Sequence, residues 1–204
     1  MEPIQEKDLI KFIRNNIEPL PDVYHGAGYR ASAYLLDGTF LPCVIFRNSR
    51  TIVELAKRRF DDEKARKSKS KIAKVGYNEM VKTFVASGNR VNPYDIGKIK
   101  KSRSAFPFSI LKQIHGETRM GWTAFVVKMK DGKCYSYGTT FLMEFFDLPD
   151  GYAVEDINEI INHSYTLKTG EIRSYHDRQN ITPKENLDFV YRERPYFECF
   201  LDNL

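Results

Sequence analysis

The apolar positions of the chain open on a helix. In "KDLIKFIRNNI", Leu9, Ile10, Ile13 and Ile17 fall at helical spacing, and Pro19 and Pro21 forbid continuation. From Tyr29 to Phe46 the chain is apolar and aromatic on both sides of Asp37-Gly38. That pair suits a hairpin turn, because glycine tolerates positive φ. Pro42 places the return strand at an edge or marks a bulge. Thr51 and Glu54 form a capping box for a helix whose apolar stripe is Ile52, Leu55, Ala56 and Phe60. A further helix is predicted over Asn78–Ser87, with Met80, Val81, Phe84 and Val85 inward and Gly88 as its stop.

In the second half, Phe108, Leu111 and Ile114 predict a short helix closed by Gly116. A hairpin with two apolar faces follows, Trp122 to Tyr137 around Asp131-Gly132, which places it centrally in a sheet. "FLMEFF" and "VEDINEIIN" read as short helices, and "SYTLKTGEIRSY" as a third hairpin around Thr169-Gly170. Thr182, Pro183 and Glu185 give a capped start to a helix carrying Leu187, Val190 and Tyr191. The pattern is α+β: a mainly antiparallel sheet built from about three hairpins with five or six flanking helices. It is read as a single domain over residues 1–204, with halves at 1–103 and 104–204 and a basic helical connection over 57–103.

Two stretches resemble each other. "YHGAGYRASAYLLDGTF" and "IHGETRMGWTAFVVKMKDGKCY" match at His25/His115, Gly26/Gly116, Gly28/Gly121, Tyr29/Trp122, Ala31/Ala124 and Asp37-Gly38/Asp131-Gly132. With Thr51 and Thr140 starting helices after each hairpin, the repeat would be an internal ββα duplication, its two copies side by side in one sheet about a pseudo-twofold axis. A histidine beside a helix-ending glycine is a structural cap before it is a catalytic pair.

Charge changes the picture more than bulk composition does. The net charge of +5 conceals an asymmetry: Lys57 to Arg103 holds fifteen Lys and Arg against five Asp and Glu, an excess of ten. Such a segment neutralises phosphates or meets an acidic protein partner. The candidate contacts are Lys57, Arg58, Arg66, Lys67, Lys69, Lys71, Lys98, Lys100, Lys101 and Arg103, with Phe60, Tyr77, Phe84 and Tyr94 interleaved. "YDIGKIKKSRSAFPFSIL" superficially resembles the helix-turn-helix of lac-repressor-type regulators. Its turn is a residue short and Pro107 falls inside the second helix, so no family follows and the segment is read as a basic connection.

Little catalytic chemistry stands out. There is no P-loop, dinucleotide fingerprint or nucleophile elbow, and no cofactor motif. The four histidines show no metal-ligand spacing. His115 with Glu117 is the remaining centre for a hydrolase or nuclease, and Cys134 the remaining nucleophile. The three cysteines are far apart and form no pair, which suits a reducing, cytoplasmic setting. No apolar run approaches the roughly 18–20 residues that cross a bilayer, and the N-terminal stretch lacks the apolar core of a leader. The expectation is a non-enzymatic protein that binds nucleic acid or a nucleoprotein without contacting membrane; the alternatives are a module for an acidic protein partner and the hydrolase.

Overall fold

The computed structural model describes residues 1–22, 26–65, 88–140, 143–176 and 184–204. These fall into two compact units: Met1–Lys101 with Tyr196–Leu204, and the continuous stretch Ser102–Pro195.

In the first unit, helix α1 (Glu6–Asn16) has Glu6 and Asp8 in its first turn and Arg14 in its last, which complements the helix dipole. Leu9 and Ile13 are fully buried. They join Ala31, Ala33, Val44, Phe46, Ile96, Ile99, Cys199 and Leu201 in one core cluster. Those sheet residues belong to β2 (Gly28–Leu35), β3 (Phe40–Asn48), β4 (Ile96–Lys101) and β11 (Phe197–Leu201). The short β1 (Pro19–Leu20) shares β2's outer side with β4. Strand β3 lies between β2 and β11, which pairs with it from Val44 onward, and Pro42 lies in a bulge. Ala31 pairs with Val44 and Ala33 with Leu41, leaving Pro42 and Cys43 opposite Ser32 alone. The Ser32 hydroxyl donates to the Pro42 carbonyl at 2.8 Å.

Helix α2 (Ser49–Ala65) starts three residues earlier than the Thr51 box implies. Its first turn is capped by Asn48, whose side-chain oxygen accepts from the Arg50 amide at 2.9 Å. The predicted helix over Asn78–Ser87 lies outside the described residues.

The second unit carries helix α3 (Phe108–Leu111), β5 (Thr123–Met129), β6 (Cys134–Thr139), β7 (Ile157–Asn162), β8 (Ser164–Thr166), β9 (Ile172–Ser174) and β10 (Val190–Arg192). Strands β5, β6, β7 and β10 form a four-stranded sheet, and β8 and β9 a separate hairpin. The core is aromatic. Phe106 lies 4.9 Å from Phe146 between ring centroids, and Phe125 stacks on Tyr137 at 5.4 Å.

The expectation of a mainly antiparallel α+β sheet with five or six flanking helices is therefore corrected. Only three α-helices occur among the described residues, sheet predominates, and both larger sheets are mixed. Strand β11 runs parallel to β3, and β10 parallel to β6. "VEDINEIIN" is a 3-10 turn (Val154–Asp156) leading into β7, and the basic connection is a 3-10 turn (Pro93–Asp95) leading into β4. The helix-turn-helix likeness ends there. Residues 143–146 of "FLMEFF" are not helical, and of the predicted C-terminal helix only a 3-10 turn, Lys184–Asn186, precedes β10.

A bulge explains the mistaken helix at "VEDINEIIN", and the same bulge recurs in β4. Leu35 pairs with Ile96 and Tyr34 with Lys98, so Gly97 is an extra residue; Met129 pairs with Ile157 and Lys128 with Glu159, so Asn158 is extra. Ile96 and Ile99 thereby share a face although three residues apart, as do Ile157 and Ile160. A bulged strand imitates the helical period.

What recurs between the units is this geometry, not a ββα element. In each, the first hairpin strand carries an antiparallel third strand and the second carries a parallel fourth: β4-β2-β3-β11 and β7-β5-β6-β10. The turns agree bond for bond. Leu35 and Met129 amides donate to Thr39 and Lys133 carbonyls at 2.9 and 2.8 Å. Leu36 and Lys130 amides donate to Asp95 and Asp156 carbonyls at 2.9 and 2.8 Å. Gly38 and Gly132 take φ of +91° and +89°. This register sets Ala31 opposite in role to Phe125, not Ala124, so the alanine match was an accident of spacing. The two hairpins belong to separate sheets, which corrects their placement in a single one.

Gly138 on β6 is required by packing. A Cβ there would meet the Trp122 ring at 1.8 Å, and the Arg192 guanidinium lies 4.8 Å from that ring's centre. Gly138→Ala should displace the ring and cost about 1–3 kcal/mol. Denaturant unfolding reads the loss, and the emission of Trp122, the sole tryptophan, should shift to longer wavelength.

Candidate nucleic-acid interface

The basic candidates divide among three places. Lys57 and Arg58 are exposed on α2. Arg66, Lys67, Lys69 and Lys71, like Tyr77 and Phe84, lie outside the described residues. Lys98, Lys100 and Lys101 are exposed on β4. Arg103 belongs to the other unit, where its guanidinium donates to the carbonyls of Pro149 at 3.3 Å and Tyr152 at 3.5 Å. Its role there is to hold a turn.

Strand pairing places two of the lysines among aromatic rings. Phe40 on β3 pairs with Tyr34 on β2, and Tyr34 with Lys98 on β4, so these three side chains form one row across the sheet. Lys100, opposite Ser32, is on the same face one row on, with Nζ 5.0 Å from the Tyr34 ring centre. The Tyr34 and Phe40 rings pack at 4.7 Å. Phe40 remains 48% exposed, while this face's neighbours Cys43, Ile45 and Arg47 are buried. Lys98 and Lys100 stand about 6.6 Å apart, two strand residues. Tyr94, 72% exposed, sits on the 3-10 turn leading into β4, at the same end of the sheet as the β2–β3 turn.

Electrostatics at this end are uneven. The Thr39 amide donates to Asp37 at 2.8 Å, and that bond, seconded by the Thr39 hydroxyl, holds the carboxyl below the usual range. The turn tip is thus negative and β4 positive. Farther along, buried Arg47 is engaged by Asp22 at 3.1 Å and Glu198 at 3.5 Å, so its charge is internal to the fold.

The hydrolase candidates meet a different environment. His115 does face histidines: its ring centroid is 6.4 Å from that of His163, which lies 4.8 Å from His176. The His163 Nε2–H donates to the His115 carbonyl at 3.2 Å, and its Nδ1 shares a hydrogen bond with His176 Nε2 at 2.8 Å. His163 adopts φ +54°, and its ring lies so close that a Cβ on Gly116 would be 2.6 Å from it. His25 lies outside the described residues, and no contact links the His115 ring to Glu117 among those described. The same residues contain no His, Cys, Asp and Glu group arranged to hold a metal ion.

Sequence reasoning passed over Tyr34, Phe40 and the His163–His176 contact. The first two were within reach: once Asp37-Gly38 is a turn closed by Leu35 and Thr39, positions 34 and 40 must oppose each other.

The cysteines provide a check on exposure and reactivity. All three are free. Burial pushes the Cys134 thiol above its ordinary range and the Cys199 thiol up to about 12, while Cys43 is 1% exposed. A thiol of raised pKa gains its reactive thiolate only at higher pH. In the folded protein only Cys134 should react with an aromatic disulfide reagent, slowly, and with a rate still rising above pH 9; denaturant should release the other two. Compared with known proteins, the chain matches no family model, no curated protein and no solved structure.

Proposed function

We propose that the unit formed by residues 1–101 and 196–204 is a non-enzymatic nucleic-acid-binding module of the cytoplasm, with β4 as its phosphate-contacting strand. One observation supports this above the rest. Strands β4 and β7 hold the same place in two sheets of the same order, yet Lys98, Lys100 and Lys101 stand where β7 has Glu159, Ile161 and Asn162. In the second unit the charge opposite Glu159 is neutralised, Lys128 Nζ lying 3.7 Å from its carboxylate. In the first, Tyr34 and Lys98 occupy those positions. The fold does not ask for three lysines at this edge. Lysines do protect exposed edges from mispairing, but β7, also an edge of its sheet, manages without one. Lys57 and Arg58 on α2 add to the positive charge of the same unit. The absence of a disulfide suits the compartment, and no helix among the described residues is long and apolar enough to cross a membrane.

The test is a salt titration with duplex and single-stranded oligonucleotides. Binding should weaken linearly on a log–log plot, and changing Lys98, Lys100 and Lys101 to Ala should flatten the slope by up to about 2–3. Stability should change by no more than about 1 kcal/mol, mostly from the Lys100–Tyr34 contact. Arg103 is left intact because it serves the other unit's turn. No binding to any oligonucleotide at about 50 mM salt overturns the proposal and leaves the acidic protein partner. Binding unchanged in the triple variant removes β4 from it.

A further inference from the structure

Building on that proposed function, we infer that the ligand is single-stranded nucleic acid, with a base stacked on Phe40. A surface made only for duplex phosphates needs cations and hydrogen-bond donors; exposed rings add nothing to it, because paired bases present only their edges. This surface combines both elements. Phe40 offers a ring 48% exposed at the turn end of a pleated face, packed against the tilted Tyr34 ring at 4.7 Å. Tyr34 in turn receives Lys100 at 5.0 Å from β4, so ring and cation are fixed in one array. The order across the sheet, Phe40 then Tyr34 then Lys98, puts a stacking surface on one side and a line of charge on the other. A single strand has that polarity: bases project from one side of a charged backbone. Lys98 and Lys100, about 6.6 Å apart on one face, match the step between successive phosphates of an extended strand.

The other unit shows the array is not a by-product of the hairpin. Cys134 occupies the place of Phe40, Lys128 that of Tyr34 and Glu159 that of Lys98. None of those three positions carries a ring; the ring near that turn is Tyr152, which bonds Asp131 from another segment. Phe40 therefore costs the protein an exposed hydrophobic ring that its fold does not need, and a stacked base would cover it.

The experiment compares three probes of about twelve nucleotides by fluorescence anisotropy: an oligothymidylate, an abasic strand with the same phosphates, and a duplex. The thymidylate strand should bind at least about tenfold more tightly than the abasic strand. Phe40→Leu should abolish that difference while leaving the abasic strand's affinity unchanged. Phe40→Trp keeps a ring and adds a reporter: over the wild-type signal of Trp122, its emission should be quenched by the thymidylate strand and not by the abasic one. Equal affinity for thymidylate and abasic strands, tighter binding of duplex, or binding without quenching overturns the stacking inference and leaves phosphate binding by β4 standing. Failure of all three probes to bind overturns both.

Discussion

The antiparallel pairing of one hairpin is the contact on which each unit is built. Strands β2 and β3, like β5 and β6, fix each other's register through a turn whose glycine adopts a conformation that other residues rarely take. Every other strand of the two larger sheets is registered against that pair. The third strand is located by a hydrogen bond from the turn itself, and the fourth by parallel pairing with the second. In the first unit a buried charge reinforces the fourth strand: Arg47 on β3 reaches Glu198 on β11. Since removing one partner of such a pair strands the other in a poorly hydrated place, β11 is tied to β3 by it.

The duplicated geometry works as an internal control on meaning. Where two copies of one architecture agree, as in the Asp-Gly turns and the extra residue in the third strand, backbone demands explain the residue. Where they differ, the backbone is indifferent. By this criterion the apolar Ile96, Ile99, Ile157 and Ile160 belong to the fold, whereas the lysines of β4 and the Tyr34–Phe40 pair do not. Charge and exposed rings that the backbone does not require are what a binding surface is made of.

Much of the hairpin framework was legible in the sequence, because Asp-Gly between apolar runs has few other solutions. The first helix was equally plain, since Leu9 and Ile13 had nowhere to go but a core. The third strands were not legible, for a definite reason: one extra residue in β4 and β7 moved Ile99 and Ile160 to three-residue spacing, the mark of a helix. Nor was β10, where Leu187, Val190 and Tyr191 carry helical spacing, while Tyr191 stacks on Tyr137 at 5.3 Å from a parallel strand about fifty residues distant in sequence. Of the candidate interface, the charge excess was visible and its arrangement was not. Only the register shows that Lys98 and Lys100 flank a ring while Arg103 turns to carbonyls in the other unit.

The first unit is interrupted in sequence: its fourth strand, Phe197–Leu201, follows the whole of the second. A chain emerging from the ribosome therefore has all it needs to finish the second unit before the first can be completed. Throughout that interval β3 presents the backbone of Val44, Ile45 and Phe46 with only β2 paired to it. An unpaired strand edge beside apolar side chains is a template for the wrong partner. The unit that begins first closes last, and the hazard of misassembly is concentrated on one edge for as long as the remaining residues take to be synthesised.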